Sequence, residues 1–190
     1  MESKGENYQE LYLVGGPRAI GKSTLLKKAK IDYDIINTGK YLQRLGKEFY
    51  GIEDREKILN NGLPKDLGKK FVEEIYEEIK KREGLVLDTH FYNKGFLGIP
   101  RENLNYMKES YKDIKIHLIG ISCGIKSLMN RREKRGISKN NLETIDDLYG
   151  NFTAQKIYHE ILLDEKGQTT ILFNQDLDKT IEDLEKFINN

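Results

Sequence analysis

The apolar positions of this chain change their period several times, and each change marks an element. Leu11 to Val14 form a compact run, after which Leu25, Leu26 and Ala29 fall on one face of a helix from Lys22 to about Lys30. The stretch "YDIINTG" holds a second short strand around Ile35 and Ile36, ending at Asn37, Thr38 and Gly39, and a helix from about Lys40 to Tyr50 follows. Between Pro64 and Glu83 the residues Leu67, Phe71, Ile75 and Ile79 recur every four positions, with proline at the start and Gly84 past the end, which predicts a long helix.

"LVLD", 85 to 88, and "IKIHLIGI", 114 to 121, are apolar runs that have lost the polar alternation of a half-exposed strand. That is the pattern of central parallel strands, buried on both faces. Ile125, Leu128 and Met129 open a helix that runs into "RREKRG", and a second amphipathic helix covers roughly Leu142 to Leu163. "TTILF", 169 to 173, is the last strand, and Leu177, Ile181, Leu184 and Ile188 give a closing helix. Strands alternating with helices predict a doubly wound α/β fold with right-handed crossovers. No internal repeat, low-complexity tract or linker interrupts it.

Composition narrows the class. At 190 residues the chain has room for one domain with a substantial core, so a single domain, 1–190, is expected. Thirty-two basic residues against thirty-one acidic ones leave a net charge of +1, too little for a bulk field that grips nucleic acid or an anionic membrane. The eleven tyrosines are scattered and form no stacking platform, so nucleic acid is not an expected partner. One cysteine, Cys123, and three histidines without zinc-type spacing exclude a disulfide framework and a structural zinc site. His117 lies in a strand and Cys123 at a strand–helix junction, and both read as packing residues. The polar start "MESKGENYQE" has no signal-like apolar core and no apolar run reaches membrane-spanning length, so a soluble cytoplasmic protein is expected.

The chemistry concentrates in "LYLVGGPRAIGKSTLLKKAK", 11 to 30. Gly16, Gly21, Lys22 and Ser23 fit G-x-x-x-x-G-K-[ST], set between a strand and a helix as that motif requires. Its glycines let backbone N–H groups wrap a phosphate, Lys22 reaches the β and γ phosphates, and the Ser23 hydroxyl is placed to hold Mg2+. Thr24 approaches the α-phosphate. Between the glycines stand Pro17, Arg18, Ala19 and Ile20, of which Arg18 either adds a cation over the phosphates or points to solvent. ATP is therefore the expected cofactor, with Mg2+.

Asp88 ends a buried strand at the edge where open α/β sheets bind ligands, and a carboxylate there serves Mg2+ beside a phosphate loop. Phosphoryl transfer also needs a second anion pocket and cations that gather with the substrates. Arg55, Thr89, His90 and Lys94 are candidates on the acceptor side, and Arg131, Arg132 and Arg135 in the basic segment that ends at Gly136. Taken singly, "RREKR" also reads as a solvated helix end, and His90 as a hydrogen-bonded core residue.

Following the phosphate loop in order, "NTGKYLQRLGKEFYGIEDREKI" (37 to 58), "VLDTHFYNKGFLGIP" (86 to 100) and "LMNRREKRG" (128 to 136) resemble the archaeal-type adenylate kinases over nearly the whole chain. The resemblance implies a three-layer P-loop kinase fold: a five-stranded parallel sheet with helices on both faces, a nucleoside-monophosphate-binding insert about 38–62 and a lid about 130–142, both mobile. It implies the reaction ATP + AMP = 2 ADP, dependence on Mg2+, and a homotrimer. Carried over by position, Gly16, Gly21, Lys22, Ser23 and Thr24 hold the donor phosphates, and the loop Asn174, Gln175, Asp176 lies beside the donor adenine. Thr38, Gly39 and Arg55 line the monophosphate pocket with Asp88, Thr89, His90, Gly95 and Phe96, while Arg131, Arg132 and Arg135 close over the transferring group. Lys22, Arg55, Asp88 and those three arginines would form the catalytic set, with Ser23 and Asp88 on the metal.

The chain departs from that pattern in three places. The phosphate loop lacks an inner glycine, Phe152 stands where a further arginine is expected, and "GISKNNL", 136 to 142, offers only Lys139 in place of arginines. Two other readings stay open: a P-loop kinase of a hydroxyl acceptor, small molecule or polynucleotide 5′ end, with Asp88 as base, and a nucleotide-binding regulatory protein with little transfer.

Overall fold

The structure, a computed structural model, describes residues 9–52, 65–90, 103–137, 140–163 and 166–189. Five strands, β1 (Gln9–Gly15), β2 (Asp34–Asn37), β3 (Gly84–Asp88), β4 (Ile114–Ser122) and β5 (Thr169–Phe173), form one sheet in the order β2-β3-β1-β4-β5, every pair parallel. The helices are α1 (Lys22–Lys28), α2 (Thr38–Tyr50), α3 (Lys65–Ile79), α4 (Leu104–Ser110), α5 (Ile125–Glu133), α6 (Asn141–Leu162) and α7 (Leu177–Ile188). This is the α/β architecture that the alternation of elements predicts, with the five parallel strands that the resemblance implies.

Alternate residues of β1 feed two cores. Leu11 and Leu13 face one side, where Leu42 and Leu45 of α2, Leu67, Phe71, Val72, Ile75 and Ile79 of α3, Leu104 and Met107 of α4, and Ala154, Tyr158 and Leu162 of α6 cover the sheet. Tyr12 and Val14 face the other, under Leu25 and Leu26 of α1, Leu128 of α5 and Leu184 and Ile188 of α7. The five buried α3 residues, spaced to fall on one stripe, stabilise the fold by on the order of 10 kcal/mol before entropy is charged against them. The register of α3 is thus fixed by its sequence period.

β3 and β4 flank β1 and are buried along nearly their whole length, as their unbroken apolar runs predict. β2 and β5 are the edges and are more exposed; in β5 Ile171 and Phe173 face solvent. α4 was not foreseen from the sequence: only Leu104 and Met107 are buried in its seven residues, too few to declare a period. Among the described residues no helix is long and apolar enough to cross a membrane.

Candidate active site

Strand register assembles the site. Asp88 pairs with Val14 on one side and with Asn37 on the other, so the ends of β1, β3 and β2 bring the phosphate loop, the acid and the start of α2 together. The loop itself turns at two left-handed residues, Ala19 (φ 69°) and Gly21 (φ 108°). At Gly21 a side chain would also collide with the Asn174 amide, 2.6 Å from a Cβ placed there. Glycine is required at that position twice over, by conformation and by room.

Beyond the turn, Lys22 is buried and its Nζ lies 3.7 Å from Asp88 Oδ1 and 3.4 Å from the carbonyl oxygen of Gly16, to which it donates. Burial pushes the Lys22 ammonium below its usual pKa, the Asp88 carboxylate opposes that shift, and the Arg135 guanidinium adds to it. The influence of Arg135 places its charge within electrostatic reach of the loop, on an exposed side chain. Ser23 and Thr24, also exposed, occupy the first turn of α1, and Ser23 Oγ donates to Asp88 Oδ2 at 3.5 Å.

The acid is held from a third direction. Asn37 Nδ2 donates to Asp88 Oδ2 at 2.9 Å while Asn37 Oδ1 accepts from the Lys40 N–H and caps α2. Thr38, buried, donates through Oγ1 to the Asp88 carbonyl at 3.2 Å, and Gly39 follows in the first turn of α2. The sequence pattern marks Asn37 as a strand end, and its position immediately before a helical run is the capping signal that the structure uses. Thr89 is buried with its N–H on the Val14 carbonyl at 2.9 Å, and His90 Nδ1 donates to the Gly16 carbonyl at 2.8 Å. His90, expected on the acceptor side, therefore reaches the phosphate loop.

The basic segment divides. Arg131 donates to the carbonyls of Ile20 and Asn174, the latter at 3.1 Å, and Asn174 Nδ2 adds a second donor to the Ile20 carbonyl at 2.9 Å. Arg131 and Asn174 thus clamp the loop backbone just before Gly21, and the Ile20 side chain itself is core. Arg132, expected to close over the transferring group, is instead 2% exposed and tied to α6, where its guanidinium donates to Thr144 Oγ1 at 3.1 Å and Asp147 Oδ2 at 2.6 Å. The sequence could not separate the two, because neighbours on a helix point about 100° apart and only the surrounding elements decide which faces inward. Asp176, expected beside the donor base, caps α7 by accepting from the Lys179 N–H at 3.1 Å. Arg18 is exposed. Arg55, Lys94, Gly95, Phe96 and Lys139 lie outside the described residues.

A hydroxyl and a carboxylate at the mouth of the loop are hard oxygen donors that suit Mg2+, an ion that takes most of its remaining ligands from water and substrate phosphates. Among the described residues no group of three or more His, Cys, Asp or Glu is placed to hold a metal ion.

A parallel sheet with this strand order, a glycine-turned loop feeding α1 and an acid on the neighbouring strand end define a P-loop nucleotide-binding protein of the kinase type. The chain belongs to the family described as AAA domain, whose model matches residues 14–147. Among solved structures it is similar to a tunicamycin resistance protein of Deinococcus radiodurans, at 11% identity and TM-score 0.58, with 95% of each chain covered. A further likeness is to an uncharacterized protein from Eubacterium ventriosum, at 15% identity and TM-score 0.53, covering 95% of this chain and 98% of that one. At such identities the likeness is one of fold. A search of the curated proteins gives no match.

Proposed function

We propose that the protein is an ATP-dependent nucleoside monophosphate kinase that passes the γ-phosphate of ATP to AMP, with Mg2+. The observation that carries this is the setting of Asp88: its oxygens face Lys22, Ser23 and Asn37, so the carboxyl group sits between the loop cation and the hydroxyl suited to Mg2+. That suits an acceptor that is already an anion and needs no base. AMP as the acceptor rests on the resemblance of 37–58, 86–100 and 128–136 to the archaeal-type adenylate kinases. In this reading Lys22 and Arg135 stabilise the transferring phosphoryl group, Ser23 and Asp88 serve Mg2+, and Arg55, Gly39, Gly95 and Phe96 help to build the acceptor pocket. Bound Mg2+ would neutralise charge developing on the phosphate oxygens.

The second reading, transfer to a hydroxyl, is favoured by the same Asp88, at hydrogen-bonding distance from a hydroxyl in Ser23 and therefore able to take an acceptor's proton. An assay of ADP formation with ATP·Mg2+ and each of AMP, GMP, CMP, UMP and dTMP, beside a no-acceptor control, decides between them. AMP-dependent turnover is expected. Dependence on none of the monophosphates, with ATP still bound, turns the reading to hydroxyl acceptors or to a regulatory role.

A further inference from the structure

Pro17 gives the phosphate loop a peculiarity. The peptide between Gly16 and Pro17 has no N–H, so where other loop peptides offer a donor to an anion, this one offers only a carbonyl. A carbonyl facing a polyphosphate repels it. Gly16 must be a glycine here, because the Ile121 carbonyl oxygen lies 2.7 Å from where a Cβ would stand.

In the present arrangement the Gly16 oxygen is satisfied twice, by Lys22 Nζ at 3.4 Å and by His90 Nδ1 at 2.8 Å. The lysine bond is the longer, and Lys22, whose ammonium has three donors to share, is drawn along it toward an arriving phosphate. His90 is the nearer partner of the carbonyl. Its backbone is anchored for the task, since the preceding residue, Thr89, is buried with its N–H on the Val14 carbonyl at 2.9 Å, two residues before Gly16.

We propose that His90 is a positioning residue of the donor site: its Nδ1–H holds the carbonyl of the donorless Gly16–Pro17 peptide away from the nucleotide phosphates while Lys22 serves them. This rests on the reading that the loop holds the phosphates of ATP. It assigns His90 to the donor half of the site, with effects on ATP larger than on AMP. The accepting partner is a carbonyl, so the ring carries its proton on Nδ1.

The test is calorimetric binding of a non-hydrolysable ATP analogue and, separately, of AMP to the wild-type protein, His90→Ala and His90→Asn. Asparagine places an amide nitrogen near the position of Nδ1 and keeps the donor. Loss of one such hydrogen bond is expected to weaken ATP-analogue binding about three- to tenfold in His90→Ala, with His90→Asn within about twofold of wild type. AMP affinity is expected to stay within about twofold in both. Nitrogen-15 spectra of the imidazole should show a proton on Nδ1 with and without the analogue.

Weakened AMP binding with ATP-analogue binding intact overturns the assignment, and so does a ring protonated on Nε2 alone. Equal losses of both affinities alongside a lowered melting temperature in both variants also overturn it, as the mark of a merely structural contact. The two readings fail separately. Absence of AMP-dependent turnover removes the acceptor assignment and leaves the ATP-analogue affinities of the three proteins to decide for His90.

Discussion

Lys22 shows how a single residue can be set against its surroundings to favour a ligand. Its ammonium is withdrawn from water and feels the Arg135 guanidinium, with Asp88 offsetting only part of the cost. An arriving phosphate restores the missing counter-charge, so binding relieves a desolvation that folding has already imposed. Replacing the side chain by one of similar length without charge, Lys22→Met, is expected to leave the melting temperature unchanged or raised. Turnover in the ADP assay should fall by about a hundredfold or more, as for the loss of a group that stabilises transition-state charge. Retained turnover would remove Lys22 from the phosphate site.

Among the elements, the joint between α5 and α6 decides the fate of the basic segment. Arg132 is buried against Asp147, so Arg132→Ala removes a buried ion pair and the packing of its side chain and should cost about 3 kcal/mol in urea unfolding. Its effect on ATP-analogue affinity should be small. Arg135→Ala is expected to do the reverse, sparing stability and lowering turnover, because that side chain is exposed and acts on the loop by charge. If Arg132→Ala were as stable as the wild type, the buried pair would not be the anchor between these helices. The elements themselves were largely legible in the sequence: the four-residue recurrence of Leu67, Phe71, Ile75 and Ile79 placed α3, and "TTILF" matched β5. In α6 the pattern misleads, since Asn151 and Gln155 point into the core while Leu142 and Tyr149 face solvent. Gln155 is inward because its amide donates to Thr169 Oγ1 and the Thr170 carbonyl on the edge strand, a tertiary demand that no period encodes. The same holds for the site. Motif spacing picks out Gly16, Gly21, Lys22 and Ser23 as candidates and the end of an apolar run picks out Asp88, whereas the reach of His90 to Gly16 spans 74 positions and depends on strand pairing.

For the molecule as a whole, acid sensitivity is written in the middle of the β1–β4 strand pair. His117 of β4 stacks on Tyr12 of β1 at 4.6 Å and meets the edge of Phe187 at 6.0 Å, and burial lowers its pKa to about 4. An unfolded chain protonates this imidazole near pH 6.5, the native one only near 4, so the unfolded state gains a proton first and stability falls across that window. His117→Phe, which keeps a ring beside Tyr12, should lose less stability over the same range in urea titrations at stepped pH; an unchanged slope would acquit the histidine. The order of the strands carries another consequence, in time. β1, which delivers the phosphate loop, pairs with residues 84–88 on one edge and 114–120 on the other, so it waits for both partners to be synthesised. Such distant pairings fold slowly. A chain emerging from the ribosome carries its phosphate loop early and unformed, and until β4 is made the apolar strand behind that loop has an open edge, the interval in which chaperones would matter most to this protein.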